Sequence, residues 1–569
     1  MISLLLIWFY IAIIIIIYGI TGVRFLRYLF KFDNQQYPPL TIIFILGLCF
    51  VTTICGYLSL FINLGLTAFV LTFLLAIFLF IYYYKKIVGL FKEYFNKLFS
   101  VKKYQLIIFA LSIFFIVVKS SNPPASVDTG LYHAQAIRWS EEYRVVPGLG
   151  NLHGRLAFNF SWFLPSALFS LSFLKIQPFH VLNPLLLIFV LIMSFEAGDE
   201  IIKGHNSFAN LLKVAIILPI ILVFKNQLSS PNVDMPAALL ILVLFIYFIE
   251  MLENETPISD GLGQIIVALI AVYLCTIKLS SIPIMVFGIY IILGKIMAKK
   301  YRDMLIILGI ILIVLAPWVI RNVILSGYLI YPFPSLDFFN FDWKIPLKAV
   351  VAESQAVSNF ARNPGLIPDE WLSRGLSSWF PSWLHYVITD YRKKLEFILM
   401  PALFILAAII INTFREKSLK INYDAIRKYK IVYLTAVTGV IFWFVTAPDL
   451  RLGYGFIMIT PLLVFLPITA ASRPFVAKSV LLLTTLVLLY FEMVFIIGDL
   501  PALKNRLILP APYPKVALQT IRVGDQLVYV PQAKAGLCWY ASLPCTPTPV
   551  ANLEFRGHNL QDGFRSKKE

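Results

Sequence analysis

The chain has 569 residues, 59% hydrophobic and 15% aromatic, with only 14% charged. Apolar runs of about 15–22 residues recur along its whole length, enough for a helix to cross a hydrocarbon core, which excludes an ordinary string of water-soluble domains. The formal net charge of +18 does not imply nucleic acid: Lys and Arg cluster in short loops beside apolar runs, as cytoplasmic retention requires, and no recognition module accompanies them.

The expected architecture is an all-α polytopic membrane protein of about 14 spans. In chain order they fall near 2–20, 40–58, 66–84, 104–118, 180–196, 211–224, 236–252, 263–277, 281–298, 303–320, 396–413, 431–447, 455–471 and 478–496. The first, MISLLLIWFYIAIIIIIYG, lacks a basic leader and a small-residue cleavage site, so it reads as a retained span. Arg24, Arg27 and Lys31 come directly after it and put the amino terminus outside. Alternation then leaves the basic connector KKIVGLFKEYFNKLFSVKK, the Lys299–Arg302 group and the Arg415–Lys430 group inside. Loops 119–179 and 321–395 and the tail emerge outside, provided that 160–174 (FSWFLPSALFSLSFL) lies on the surface or re-enters rather than crossing.

The chain thus divides into three regions: 1–103, three spans and the connector; 104–498, a transmembrane core with both large outer loops; and 499–569, an outer tail. In the tail DQLVYV reads as a short strand, and Cys538 and Cys545 are expected to pair in an oxidising compartment. Cys49, Cys55 and Cys275 lie in apolar runs and read as inert.

The candidate chemistry begins at SSNPPASVDTGLYHAQAIRWSEEYRVVPGLGNLHGRLAFNFSWF, residues 120–163. After Pro123 and Pro124 a helix is expected from Asp128 to about Tyr143, with Asp128, Tyr132, Gln135 and Trp139 on one face as a sugar-facing stripe. The plainer reading makes Asp128 an N-cap. His133 and His153 match no compact metal spacing and suit hydrogen bonding or orientation better than ligation. Arg138, Arg144 and Arg155 can pair with Glu141 and Glu142 on a solvated face; Arg155, next to His153 and far from that acidic pair in sequence, is the best anion-binding candidate of the three.

Further along, Asp234 stands at the mouth of the 236–252 span, either as a functional acid or as a cap with Pro236 in the first turn. Lys278 stands at a span end, to work there or to snorkel. Arg321 marks the exit of another span, and Asp449 and Arg451 lie in the short turn TAPDLRLGYG. Ionisable groups at such depth are costly unless paired or functional. Two acids and three cations at one outer boundary suit an anionic lipid headgroup, with Asp128 and Arg321 expected to line one cavity. Loop 321–395 adds Trp343, Trp371, Trp379 and Trp383, as interfacial anchors or as a cover for that cavity.

The stretches VDTGLYH, FSWFLPSALFSL and SSPNVDMP, in that order, resemble the GT-C superfamily of membrane glycosyltransferases over residues 104–500. The chain departs from the family's common Asp-Glu pair, having Asp128-Thr129, and its three amino-terminal spans are additional to the usual core. The resemblance implies a GT-C-like bundle in a bacterial cytoplasmic membrane, active on its extracytoplasmic face. It also implies inverting transfer from a polyprenyl-phosphate-linked sugar donor to a glycan, lipid or protein acceptor. Asp128 would be general base beside Tyr132 and His133, with His153, Arg155, Asp234, Lys278, Arg321 and Arg451 binding substrate. A requirement for a divalent cation stays open. The competing readings are a transporter or flippase of lipid-linked sugars, and a glycan polymerase or ligase.

Overall fold

The computed structural model describes residues 1–32, 36–255, 261–362, 374–417, 419–468, 473–533 and 535–567. Trp371 and the end of the expected span 455–471 lie outside the described residues. Helices dominate. Among the described residues, eight are long and apolar enough to cross a membrane, or nine if a pair bent by 90°, Leu66–Tyr82 and Tyr84–Phe99, counts as one span. The expected 180–196 span is the helix Leu182–Lys203, which runs on into Glu196, Asp199, Glu200 and Lys203.

Four more expected spans are shorter apolar helices: Phe208–Phe224, Leu262–Ile277, Lys430–Thr446 and Leu450–Leu463. At 1.5 Å per residue each falls short of a hydrocarbon core about 30 Å thick. Leu262–Ile277 is buried along almost its whole length. A helix wrapped in protein satisfies its ends against other helices and need not reach water on both faces, whereas hydropathy alone scores it like a lipid-facing one.

The first two long helices, Ile2–Phe30 and Leu40–Phe61, pack backbone to backbone. A Cβ on Gly19 would stand 2.1 Å from the Ile43 carbonyl oxygen, and one on Gly47 2.0 Å from that of Ile15, so only glycine permits this approach. Tyr84–Phe99 turns its lysines outward and buries only Ile87 and Leu90.

The segment after Pro124 opens with a π-helical turn, Thr129–His133, and continues as Ala134–Glu142. That turn breaks the expected stripe, because one extra residue rotates the upstream side chains relative to the downstream ones. Segment 160–174 folds as the short helix Phe163–Leu168 and a 3-10 turn, Ser172–Leu174. Every residue of Phe163–Leu168 is buried, so this helix lies within the protein rather than on its surface.

The tail pairs strand Leu518–Val523 with Gln526–Pro531, and Leu553–Phe555 with Phe564–Ser566, both antiparallel. Cys538 and Cys545 are disulfide-bonded. The loop they close docks on the 128–142 helix: the Trp539 amide donates to the Gly130 carbonyl at 2.7 Å, and Gln135 donates to the Trp539 and Ala541 carbonyls.

Candidate functional site

Asp128 directly precedes the π-helical turn, yet its carboxylate makes no capping bond. It faces two guanidinium groups instead. Arg451 Nη1 donates to Oδ2 at 2.5 Å and Arg155 Nη1 approaches Oδ1 at 3.5 Å. Burial favours the neutral acid, but the charges of Arg451 and Arg155 outweigh it and hold the Asp128 carboxyl below its ordinary range.

Each arginine has a second acid. Arg451 Nε donates to Asp449 at 2.9 Å, and Asp449 also caps the Leu450–Leu463 helix by accepting the Arg451 amide. Arg155 Nε lies 3.4 Å from Glu353 Oε1, on the helix Leu347–Arg362. Neither acid was assigned to the site from sequence. Glu353 is the sole acid of its helix, a signal too weak to use without knowing where loop 321–395 returns. Gly154 makes room for it, since a Cβ there would stand 3.2 Å from Glu353 Oε2. Trp383 and Trp443 donate their indole N–H groups to the Pro448 and Asp449 carbonyls, fixing the turn that presents Arg451. Trp383 thereby ties loop 321–395 to this turn.

Around this centre the Arg155 guanidinium stands over the Tyr132 ring, 5.8 Å from its centroid. His133 is buried, with Nδ1 3.4 Å from Thr129 Oγ1 and Nε2 without a partner among the described residues. Burial lowers its pKa to about 4 against the opposing pull of Asp128 and Asp234, so the ring is neutral at pH 7. Burial and Arg155 likewise lower His153 to about 4.

Asp234 is the first residue of helix Asp234–Glu253, but Asn232 does the capping, accepting the Met235 amide at 2.9 Å. Asp234 is ion-paired to Lys278, which is buried and therefore does not snorkel. Arg138 pairs with Glu142 as expected, whereas Glu141 is buried against His180 and Tyr540.

Arg321 does not join this group. It is bonded to Asn159 and Ser59, and the cavity it shares with Trp139 is not lined by Asp128. Among the described residues, no cluster of three or more His, Cys, Asp or Glu side chains is arranged to hold a metal.

A mostly helical chain with, among the described residues, eight membrane-length apolar helices and paired charges is a multi-pass helical membrane protein. Residues 1–458 match the family described as Domain of unknown function (DUF8201), and the chain belongs to that family. The match takes in Asp128, Arg155, Asp234, Lys278, Arg321, Glu353 and Arg451 and stops before the tail. No curated protein and no solved structure matches the chain.

Proposed function

We propose that the chain is a membrane glycosyltransferase of the GT-C kind, transferring a sugar from a polyprenyl-phosphate donor to an extracytoplasmic acceptor with inversion. The observation that carries this reading is the carboxylate of Asp128, which is held by Arg451 and Arg155 instead of capping its own helix. On this reading the short apolar helices pack inside the bundle among the long spans, and the charged cluster faces outward.

The chemistry has to account for a base held below its ordinary pKa. A carboxylate clamped by two guanidinium groups is a poor proton acceptor. The donor phosphate is itself an anion and competes for Arg451, assisted by Lys278. As the phosphate draws Arg451 away, Asp128 regains basicity and takes the proton from the acceptor hydroxyl. That oxygen bonds to the anomeric carbon, and the sugar–phosphate bond breaks with its electron pair leaving on the phosphate oxygen. Neutral His133, His153 and the Tyr132 ring orient the sugar, and Asp234, ion-paired to Lys278, aims it. Arg321 takes no part in this step.

Transfer of labelled sugar from polyprenyl-phosphate donor in proteoliposomes tests the reading. Asp128→Asn is expected to lose at least ~100-fold in rate, within the usual contribution of a general base. A folded Asp128→Asn protein with near wild-type turnover removes the proposed base. A specific feature speaks for transport instead: Glu492 is 1% exposed inside the apolar helix Pro474–Leu503, bonded to Ser112. Movement of lipid-linked sugar without bond cleavage, abolished in Glu492→Gln, would favour that alternative.

A further inference from the structure

Helix Leu66–Tyr82 buries three residues, Ala68, Thr72 and Ala76, all small and four apart, so it meets the protein along one narrow stripe. Tyr18 of helix Ile2–Phe30 secures that stripe, its hydroxyl donating to the Thr72 carbonyl at 2.8 Å. From Leu75 to Tyr83 a cleft of about 730 Å³ lies between this helix, Ile2–Phe30 and Leu40–Phe61. That volume is within the range of small-ligand sites, about 300–1,000 Å³. Phe25, Phe50, Ile54, Leu75 and Leu79 make its walls apolar, and among the described residues Arg24 is the one charged side chain in its lining.

The charge sits at one end. The Arg24 guanidinium lies over the Tyr83 ring, 4.6 Å from its centroid, at the point where the chain turns by 90° into Tyr84–Phe99. That second helix carries Lys85, Lys86, Lys92 and Lys97. Arg27 and Lys86 converge on the Tyr37 ring, 4.8 and 4.7 Å from its centroid, and the Tyr94 hydroxyl donates to the Pro38 carbonyl at 2.9 Å. A basic amphipathic helix leaving an apolar one at a right angle lies along the membrane surface, which sets these cations at headgroup level and the cleft beside the acyl chains. Span ends rich in Lys and Arg face the cytoplasm, and the cytoplasmic leaflet carries the anionic lipids.

We infer that this cleft binds one anionic phospholipid of the bilayer, its phosphate on Arg24 and an acyl chain between Leu75, Leu79 and Phe50. A phospholipid supplies both parts at once, an anion at headgroup level joined to hydrocarbon below it. Free phosphate would leave the apolar walls uncovered, and a zwitterionic lipid offsets its phosphate with its own ammonium group. No acid lines the cleft among the described residues, so nothing there competes for Arg24. The site shares no residue with the Asp128 cluster, and the inference does not depend on sugar transfer.

The test is native mass spectrometry of the full chain in detergent, titrated with phosphatidylglycerol or with phosphatidylcholine of the same acyl chains. The wild-type protein is expected to bind the anionic lipid about fivefold more tightly, the usual worth of one cation near an anionic headgroup. Arg24→Gln should remove that preference, whereas Lys92→Gln, at an exposed position outside the cleft, should keep it. Leu75→Trp, at a position 39% exposed, fills the cleft while leaving Arg24 in place and should weaken both lipids. It decides the matter alone if Arg24→Gln fails to fold. Equal binding of the two lipids by the wild type, equal loss in Lys92→Gln and Arg24→Gln, or undiminished binding in Leu75→Trp overturns the site.

Discussion

Arg451 and Asp128, 323 residues apart in sequence, share a 2.5 Å charge-assisted hydrogen bond that ties the start of helix Leu450–Leu463 to the loop after the helix Lys103–Ser120. The pair is partly exposed, at 32% and 18%, so its worth lies between a surface pair and a buried one. Asp128→Ala is expected to destabilise the protein by about 1–3 kcal/mol. In a cycle with Arg451→Met, the double variant should lose less than the two single losses added. Thermal unfolding of the four proteins in detergent measures this; strict additivity would mean the two side chains are not coupled.

The same pair sets a response to acid. Because the folded Asp128 carboxyl sits below its unfolded value, the stability it contributes is present above that unfolded value and is lost as pH falls through the folded one. Wild-type unfolding midpoints should fall more steeply at the acid end than those of Asp128→Asn. Parallel curves would contradict the direction of the shift.

His133 acts in a higher window. Its folded pKa of about 4 lies below the ordinary 6.5, so the unfolded chain binds the proton first. Stability is therefore complete above pH 6.5 and declines as pH drops toward 4, by at most about 3 kcal/mol from this ring. His133→Gln should flatten that decline. An unchanged slope between pH 6.5 and 4 would show that another group controls it.

Gly130 lets the tail dock, since a Cβ there would meet the Trp539 ring at 2.8 Å. Gly130→Ala is expected to release the disulfide loop and expose the tail to protease while the apolar helices stay folded. Cys538→Ser should act the same way, removing a cross-link over a short loop worth about 2–3 kcal/mol. Limited proteolysis followed by mass spectrometry reads both variants; a tail as resistant as wild type would show that docking does not need this contact.

Asn232 and Asp234 divide two jobs that sequence assigns to one residue. Asn232→Ala should cost about 1 kcal/mol as a lost cap. Asp234→Asn leaves the buried Lys278 without its counter-charge and should cost more, about 3 kcal/mol. Chemical denaturation in mixed micelles would compare them, and equal losses would argue that both act only as caps.

Much of this molecule was legible in one dimension. Long apolar runs with few charges can only be helices in lipid or in a large buried core, so helical class and the eight long helices follow from composition and run length. The strand in DQLVYV and the pairing of Cys538 with Cys545 followed from local pattern and near neighbours, and both are present. The unusual density of charge at Asp128, Arg155, Asp234, Lys278 and Arg451 was also visible, because such groups are rare in an apolar chain.

Which charge meets which was not visible. Pairing across 323 residues depends on how helices cross, and apolar residues at helical spacing constrain that only weakly. The π-helical turn after Asp128 split a stripe that regular spacing joined, sending Gln135 to the tail and Trp139 to the cavity of Arg321. Burial did the rest: the chain alone supplied Arg321 as one more cation at a span end, and only the packing of Asn159 and Ser59 gave it neutral partners among the described residues. Local hydrophobicity decides that a segment is helical and hidden; long-range packing decides which buried charges meet an opposite charge and which meet only neutral hydrogen-bond partners.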